Sequence, residues 1–125
     1  MNEIFANLMG KNDELFITAT QDDEKWYMLI TKYSNNQKED KEYNHLNARQ
    51  VLNIIGRYKS SRQLCELQIK MPPYRIHLGT KNNGFIPHYV LRVVYMSSRE
   101  DKKTYVKRYA TYSYAITQIK KELGI

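Results

Sequence analysis

A chain that repeats itself within 125 residues has few ways to fold. Sliding the sequence on itself by 62 places Tyr27, Leu29, Tyr33, Lys41, Tyr43, Ala48 and Ile54 on Tyr89, Leu91, Tyr95, Lys103, Tyr105, Ala110 and Ile116. These are seven identities over the 32 positions from Tyr27 to Tyr58, where chance gives about two. A two-residue insertion extends the match at a spacing of 60, with Thr20 on Thr80, Phe16 on Ile76 and Ile4 on Leu64. The halves run from about 1 to 60 and from 61 to 125. A repeat of this size does not close a core alone, so the expectation is one domain in which the two halves pack as a pseudo-twofold unit.

Each half reads as helix, three strands, helix. In the first, Asn2 to Met9 reads as a short helix ended by Gly10. Glu14 to Thr20, Trp26 to Ser34 and Lys41 to Leu46 are β-rich. Asn47 with Gln50 three residues later is a capping box, and Ala48, Val51, Leu52 and Ile55 form a helical stripe behind it. In the second half, Ser60 or Ser61 would cap a helix carrying Leu64, Leu67 and Met71, stopped by Pro72 and Pro73. Strands follow at Tyr74 to Thr80, His88 to Ser97 and Thr104 to Arg108, then a final helix from about Thr111 to Leu123 with Ala115, Ile116, Ile119 and Leu123 on one face.

Charge divides the halves sharply. Twenty Lys and Arg against thirteen Asp and Glu give +7. Residues 1 to 62 hold nine bases and nine acids, while residues 63 to 125 hold eleven bases and four acids, so the excess lies entirely in the second half. Bases there interleave with tyrosines, as in Arg92, Tyr95, Lys103, Tyr105, Lys107, Arg108 and Tyr109. That texture suits a polyanion bound through phosphates, with a solvated basic surface as the alternative. Hydrophobic residues at 42% are enough for a core. No apolar run approaches the roughly 20 residues that span a bilayer, and Met1 to Met9 lacks a signal-peptide pattern. One cysteine, Cys65, forms no internal disulfide and rules out a cysteine-based zinc site, which fits a cytoplasmic protein.

The stretch LNARQVLNIIGRYKSSRQLCELQIKMPPYRIHLG, Leu46 to Gly79, resembles the winged helix-turn-helix of excisionases and MerR-type regulators, in which an Ala-rich first helix, a Gly turn and a Pro-x-Tyr-Arg-Ile entry to a hairpin wing recur. Together with the duplication and the basic charge, the chain resembles the TraN-like double-stranded-DNA-binding proteins of Gram-positive conjugative type IV secretion systems. The resemblance implies an α+β internal pseudo-dimer, with central antiparallel β-sheets and a winged helix-turn-helix at each end. It also implies sequence-selective binding near a transfer origin, an accessory or regulatory role in plasmid transfer, and contacts with other conjugation or relaxosome proteins. By pseudo-symmetry the N- and C-terminal helices would pair as the second head, so a monomer would act as an internal dimer on two major grooves about 34 Å apart.

On that reading the DNA contacts are Ser60, Ser61, Arg62, Gln63, Glu66 and Lys70 of the second helix, Arg49 of the first, and Lys81, Asn82 and Asn83 of the wing. Lys120 and Lys121 of the last helix join them, although there they also complement its dipole. Arg62, Glu66 and Lys70, spaced four apart, would alternatively form a surface ion ladder. The first half's corresponding loop holds Asp22, Asp23 and Glu24, so the 47–87 head is expected to be the stronger. A competing resemblance runs from Tyr89 to Glu122, which is similar to the sheet-plus-helix arm-binding domain of phage-type integrases. It implies that Arg92, Tyr105 and Lys107 lie on a sheet in the groove; a secretion-complex adaptor that binds no DNA is the third reading.

An enzyme is not expected. His45, His77 and His88 lack metal-ligand spacing, and the eleven tyrosines have no accompanying His cluster or Arg-His-Arg constellation. Gln68 and Lys70 form a nuclease-like Gln-x-Lys, but on an expected helix, and Asp22, Asp23 and Glu24 read as a solvated loop tip. There is no Gly-rich phosphate loop, and no cofactor or metal is expected.

Overall fold

The computed structural model describes residues 1–83, 86–96 and 102–125, with the side chains of 82, 83, 86, 87, 102 and 103 excepted. Eight strands form one antiparallel sheet. In chain order they are β1 (Glu3–Met9), β2 (Glu14–Asp22), β3 (Lys25–Ser34) and β4 (Gln37–Leu46), then β5 (Gln63–Met71), β6 (Tyr74–Asn83), β7 (Ile86–Met96) and β8 (Lys102–Tyr109). Helix α1 (Ala48–Lys59) follows β4, and α2 (Tyr112–Leu123) follows β8. The spatial order is β4-β3-β2-β1-β5-β6-β7-β8. The element order, four strands and a helix, therefore occurs twice, and the halves meet where β1 pairs β5 through Ile4 with Ile69, Phe5 with Gln68 and Ala6 with Leu67.

Two expected helices are strands, and this removes the helix-turn-helix at both ends. Asn2 to Met9 contains Ile4, Ala6 and Leu8, an alternation that satisfies a strand, and all three are fully buried. Between β2 and β5 every backbone group of such a strand finds a ladder partner. The segment from Ser61 to Met71 deceived for a different reason. The ladder between β1 and β5 shifts register between Asn7 and Leu8, and the extra residue on β5 puts Leu64, Leu67 and Ile69 on one face. A bulge followed by alternation thus imitates the helical spacing of three. The remaining capped element, α1, does carry the capping box: Gln50 N–H donates to Asn47 Oδ1 and Asn47 N–H to Gln50 Oε1, both at 2.8 Å.

Both helices cover the same face of the sheet. Val51, Leu52, Ile54 and Ile55 of α1 and Ala115, Ile116 and Ile119 of α2 enter one core with the inward residues of the sheet. The helices lie side by side, not at opposite ends. Lys120 Nζ of α2 donates to Asn53 Oδ1 of α1 at 2.8 Å, and the Tyr112 ring of α2 lies beside Gly56 of α1, 3.9 Å from where a Cβ would stand. Lys59 lies over both Tyr89 and Tyr112, 5.5 and 5.3 Å from their ring centres. Among the described residues no helix is long and apolar enough to cross a membrane.

The hairpins explain the strand lengths. Asn35 and Asn36, at φ 48° and 62°, form the two-residue turn between β3 and β4, a conformation that asparagine tolerates and that matches strand twist. That turn lets β4 begin at Gln37, ahead of the expected Lys41. Pro72 and Pro73, expected to stop a helix, instead form the turn between Met71 and Tyr74.

Candidate nucleic-acid interface

Alternation sends every second side chain to the face the helices leave uncovered. On β1–β4 that face carries Glu3, Glu14, Asp22, Asp40 and Glu42 against only Lys25 and Lys38, a net charge of −3. On β5–β8 the described side chains include Lys70, Arg75, Lys81, Arg92 and Arg108 against Glu66 alone, a net charge of +4. One continuous face is thus acidic in one half and basic in the other.

The aromatic side chains are segregated too. Phe5, Phe16, Tyr27 and Tyr33 lie on the acidic half, where Phe16 and Tyr33 meet edge to face at 5.8 Å. Tyr27 and Tyr33 are exposed, and the Glu42 carboxylate, as hydrogen-bond acceptor, pushes the Tyr27 hydroxyl pKa up. On the basic half no Phe, Tyr or Trp faces outward among the described side chains; its apolar members are Val90, Val94, Met96 and Val106.

The register arranges the basic half in a row. Lys70 stands opposite Arg75, Arg92 opposite His77, and Arg108 opposite Val90. Arg75, Arg92 and Arg108 therefore climb diagonally across β6, β7 and β8, two residues per strand, with steps of about 8 Å from strand spacing and rise. Lys70 directly opposite Arg75 is a like-charge pair that disfavours the sheet, offset in part by Glu3 on the other side of Lys70. Glu66 is engaged by His77, whose Nε2 lies 3.3 Å from its carboxylate.

The residues expected to contact DNA scatter over this frame. Gln63, Glu66, Lys70 and Lys81 reach the open face, on strands. Arg49 is exposed on the first turn of α1, and Lys120 and Lys121 close α2, so all three belong to the helix side. Ser60 and Ser61 sit in the turn after α1, where Ser60 Oγ donates back to the Arg57 carbonyl at 2.7 Å. Asn82 and Asn83 belong to β6, but their side chains lie outside the described residues. Arg62 is already engaged: Nε and Nη2 donate to the two Asp13 carboxylate oxygens at 2.9 and 2.7 Å, with both side chains largely sheltered. That bidentate grip lowers the Asp13 pKa. From the integrase-like resemblance, Arg92 faces outward, whereas Tyr105 and Lys107 lie on the helix side with Leu91 and Val93. Arg108 belongs to the basic, tyrosine-rich texture of the second half, whereas Arg75 is absent from the expected contacts; strict period two around Ile76, Leu78, Leu91 and Val93 places both on the open face.

On the helix side, a groove of about 270 Å³ lies between β4 and α1. Lys41, Tyr43, Arg57, Tyr58 and Arg62 line it, with Ile54 at its base. The Tyr43 and Tyr58 hydroxyls are 3.4 Å apart, and Lys41 Nζ stands 5.1 Å from the centre of the Tyr43 ring. The hydrogen bond from Tyr58, then Lys41, lowers the Tyr43 pKa, while burial raises that of Tyr58.

Comparison with protein families, with curated proteins and with solved structures returned no match for this chain. With the helix-turn-helix gone, the resemblance to conjugation proteins loses the motif that carried it. Among the described residues no cluster of three or more His, Cys, Asp or Glu could hold a metal ion.

Proposed function

We propose that the chain binds double-stranded DNA with the open face of β5–β8. The observation that carries this reading is the diagonal row Arg75, Arg92, Arg108, flanked by Lys70 and Lys81, on a face whose described side chains include a single acid. Arginine forks suit phosphate and guanine edges, and sheets serve as readers in the grooves of duplexes. A duplex fits better than a single strand, because single-strand binding couples cations to rings on which bases stack. Here the outward rings among the described residues lie on the acidic half, away from the cations. One monomer presents one such face, since the corresponding face of the first half repels phosphate.

Anisotropy titrations of labelled duplexes at several salt concentrations test the proposal. Five engaged cations give a log–log salt slope of up to about −4.5, and Arg92→Ala with Arg108→Ala flattens it by about 1.8. A slope that the double substitution leaves unchanged, or no duplex binding at low salt, would refute the reading.

A further inference from the structure

The groove between β4 and α1 has a counterpart in the second half that already contains an anion. The helix N-caps are Asn47 and Thr111, and Tyr58 and Glu122 occupy the same position, eleven residues further on. Each faces a tyrosine on the last strand of its half. In the second half the Tyr105 hydroxyl donates to Glu122 Oε2 at 2.9 Å. The groove there, also about 270 Å³, is lined by Tyr105 and Glu122 with Tyr74, Val93 and Tyr95. In the first half the carboxylate is replaced by the Tyr58 phenol, and Lys41 and Arg57 line the groove beside it.

We propose that the first-half groove is a binding site for a phosphate group, seated between Lys41, Arg57 and the Tyr43 and Tyr58 hydroxyls, where the second half places its own carboxylate. Lys41 and Arg57 keep N–H groups beyond the Lys41 bond to Tyr43, and the Tyr43 hydroxyl, which accepts from Tyr58 and Lys41, has its own proton to give, so a tetrahedral oxyanion meets donors from several directions. The groove's third cation, Arg62, is held by Asp13, so it forms the wall and leaves Lys41 and Arg57 to meet the ligand. No salt bridge engages Lys41 or Arg57 among the described residues. The C-terminal carbonyls of α1 oppose an anion here, and the basic last turn, Arg57 and Lys59, offsets them. The site lies on the opposite side of the sheet from the row of arginines, so it stands or falls independently of duplex binding there.

A phosphate group can arrive free or as the terminal phosphate of a nucleic acid. Titrating the full chain with inorganic phosphate while following the Tyr43 and Tyr58 ring signals and the Arg57 Nε–H by NMR tests the shared chemistry. Saturable shifts confined to this groove are expected, and Arg57→Met or Lys41→Met weakens the affinity roughly tenfold each, the loss of one charge-assisted contact. Tyr105 signals should stay still. Duplexes with and without a 5′-phosphate distinguish the source. Tighter binding of the phosphorylated duplex, lost in Arg57→Met but kept in Arg92→Ala, assigns the site to a nucleic-acid end; equal binding of both duplexes with saturable phosphate shifts assigns it to free phosphate. Unmoved signals with inorganic phosphate up to about 10 mM, a weak limit on the affinity scale, or shifts that Arg57→Met and Lys41→Met leave intact, overturn the proposal.

Discussion

Arg62→Ala should damage the fold and spare duplex binding, the reverse of what its place in the sequence suggests. Its guanidinium makes two charge-assisted hydrogen bonds to Asp13 at 2.9 and 2.7 Å and a third to the Tyr58 carbonyl at 3.2 Å. It also lies over the Tyr58 ring, 5.7 Å from its centre. The two side chains are only 16% and 18% exposed, so water replaces few of these contacts. A hydrogen bond to a charged group contributes about 1.5–3 kcal/mol, and truncation strands the Asp13 carboxylate without its counter-charge. Allowing for residual solvent at the rim, the expected loss is about 2–4 kcal/mol, with a coupling of about 1–3 kcal/mol to Asp13→Asn in a double-mutant cycle. The pH dependence has a definite sign. Because the folded pKa of Asp13 is lowered by the Arg62 hydrogen bonds, the pair stabilises fully above the unfolded carboxylate value of about 3.9. That contribution is lost as pH falls through the lower folded value, and Arg62→Ala should lack this acid-sensitive component. Urea denaturation followed by fluorescence of the single, buried Trp26 measures the loss, and the duplex titration measures the other half of the claim. A loss under about 0.5 kcal/mol, the level of an ordinary surface substitution, or abolished binding at unchanged stability, would refute the reasoning.

Gly10→Ala should act through the same pair: its Cβ would collide with the Asp13 carboxylate, so urea midpoints should show it adding little once Asp13→Ala has removed that group. Tyr112→Phe should stabilise by about 1 kcal/mol in the same urea assay, because the hydroxyl is buried without a partner among the described residues. Burial also pushes the Tyr112 pKa well up; the folded state therefore holds a proton that the unfolded chain releases, and wild-type stability should fall as pH rises past about 10, less so in Tyr112→Phe. Leu67→Ala, fully buried on the central β5, should cost about 2–5 kcal/mol and still unfold in one calorimetric transition, since β1 and β5 join both halves; two separate transitions would contradict a shared core.

Much of the sheet was legible because alternation survives wherever a strand is buried on one face only. Trp26, Met28 and Ile30 on β3, and Ile76 and Leu78 on β6, announce their strands by spacing alone. The capping box fixed the start of α1 for a reason just as local. What failed was non-local. Ile4 and Leu8 at a spacing of four satisfy either period, and only the presence of β2 and β5 on both sides decides for a strand. At Leu64 and Leu67 the deciding feature is a bulge against β1, where Leu8 pairs with Leu64 and Asn7 with Glu66, far beyond any local window. Site residues follow the elements: a helix in place of β5 makes Arg62 a recognition residue, and no local pattern joins it to Asp13, 49 residues back in the chain.

Four strands and a helix occur twice, but the spacing of 62 does not keep strand faces in register throughout. At the spacing of 62, Tyr27 and Leu29 fall on Tyr89 and Leu91. Tyr27 is exposed on the open face, whereas Tyr89 and Leu91 are buried beneath the helices. A strand has period two, so a mismatch of one residue exchanges its faces completely. Further along, Tyr43 and Tyr105 both lie on the helix side against the core, so the same spacing preserves the face there. Identity between the halves therefore does not mean equivalent surroundings. Each half keeps four strands and a helix, because that arrangement asks chiefly for apolar residues at the inward positions, every second residue of a strand. The outward positions escape this constraint, which is why one sheet can present five acids on one half of its open face and a row of arginines on the other.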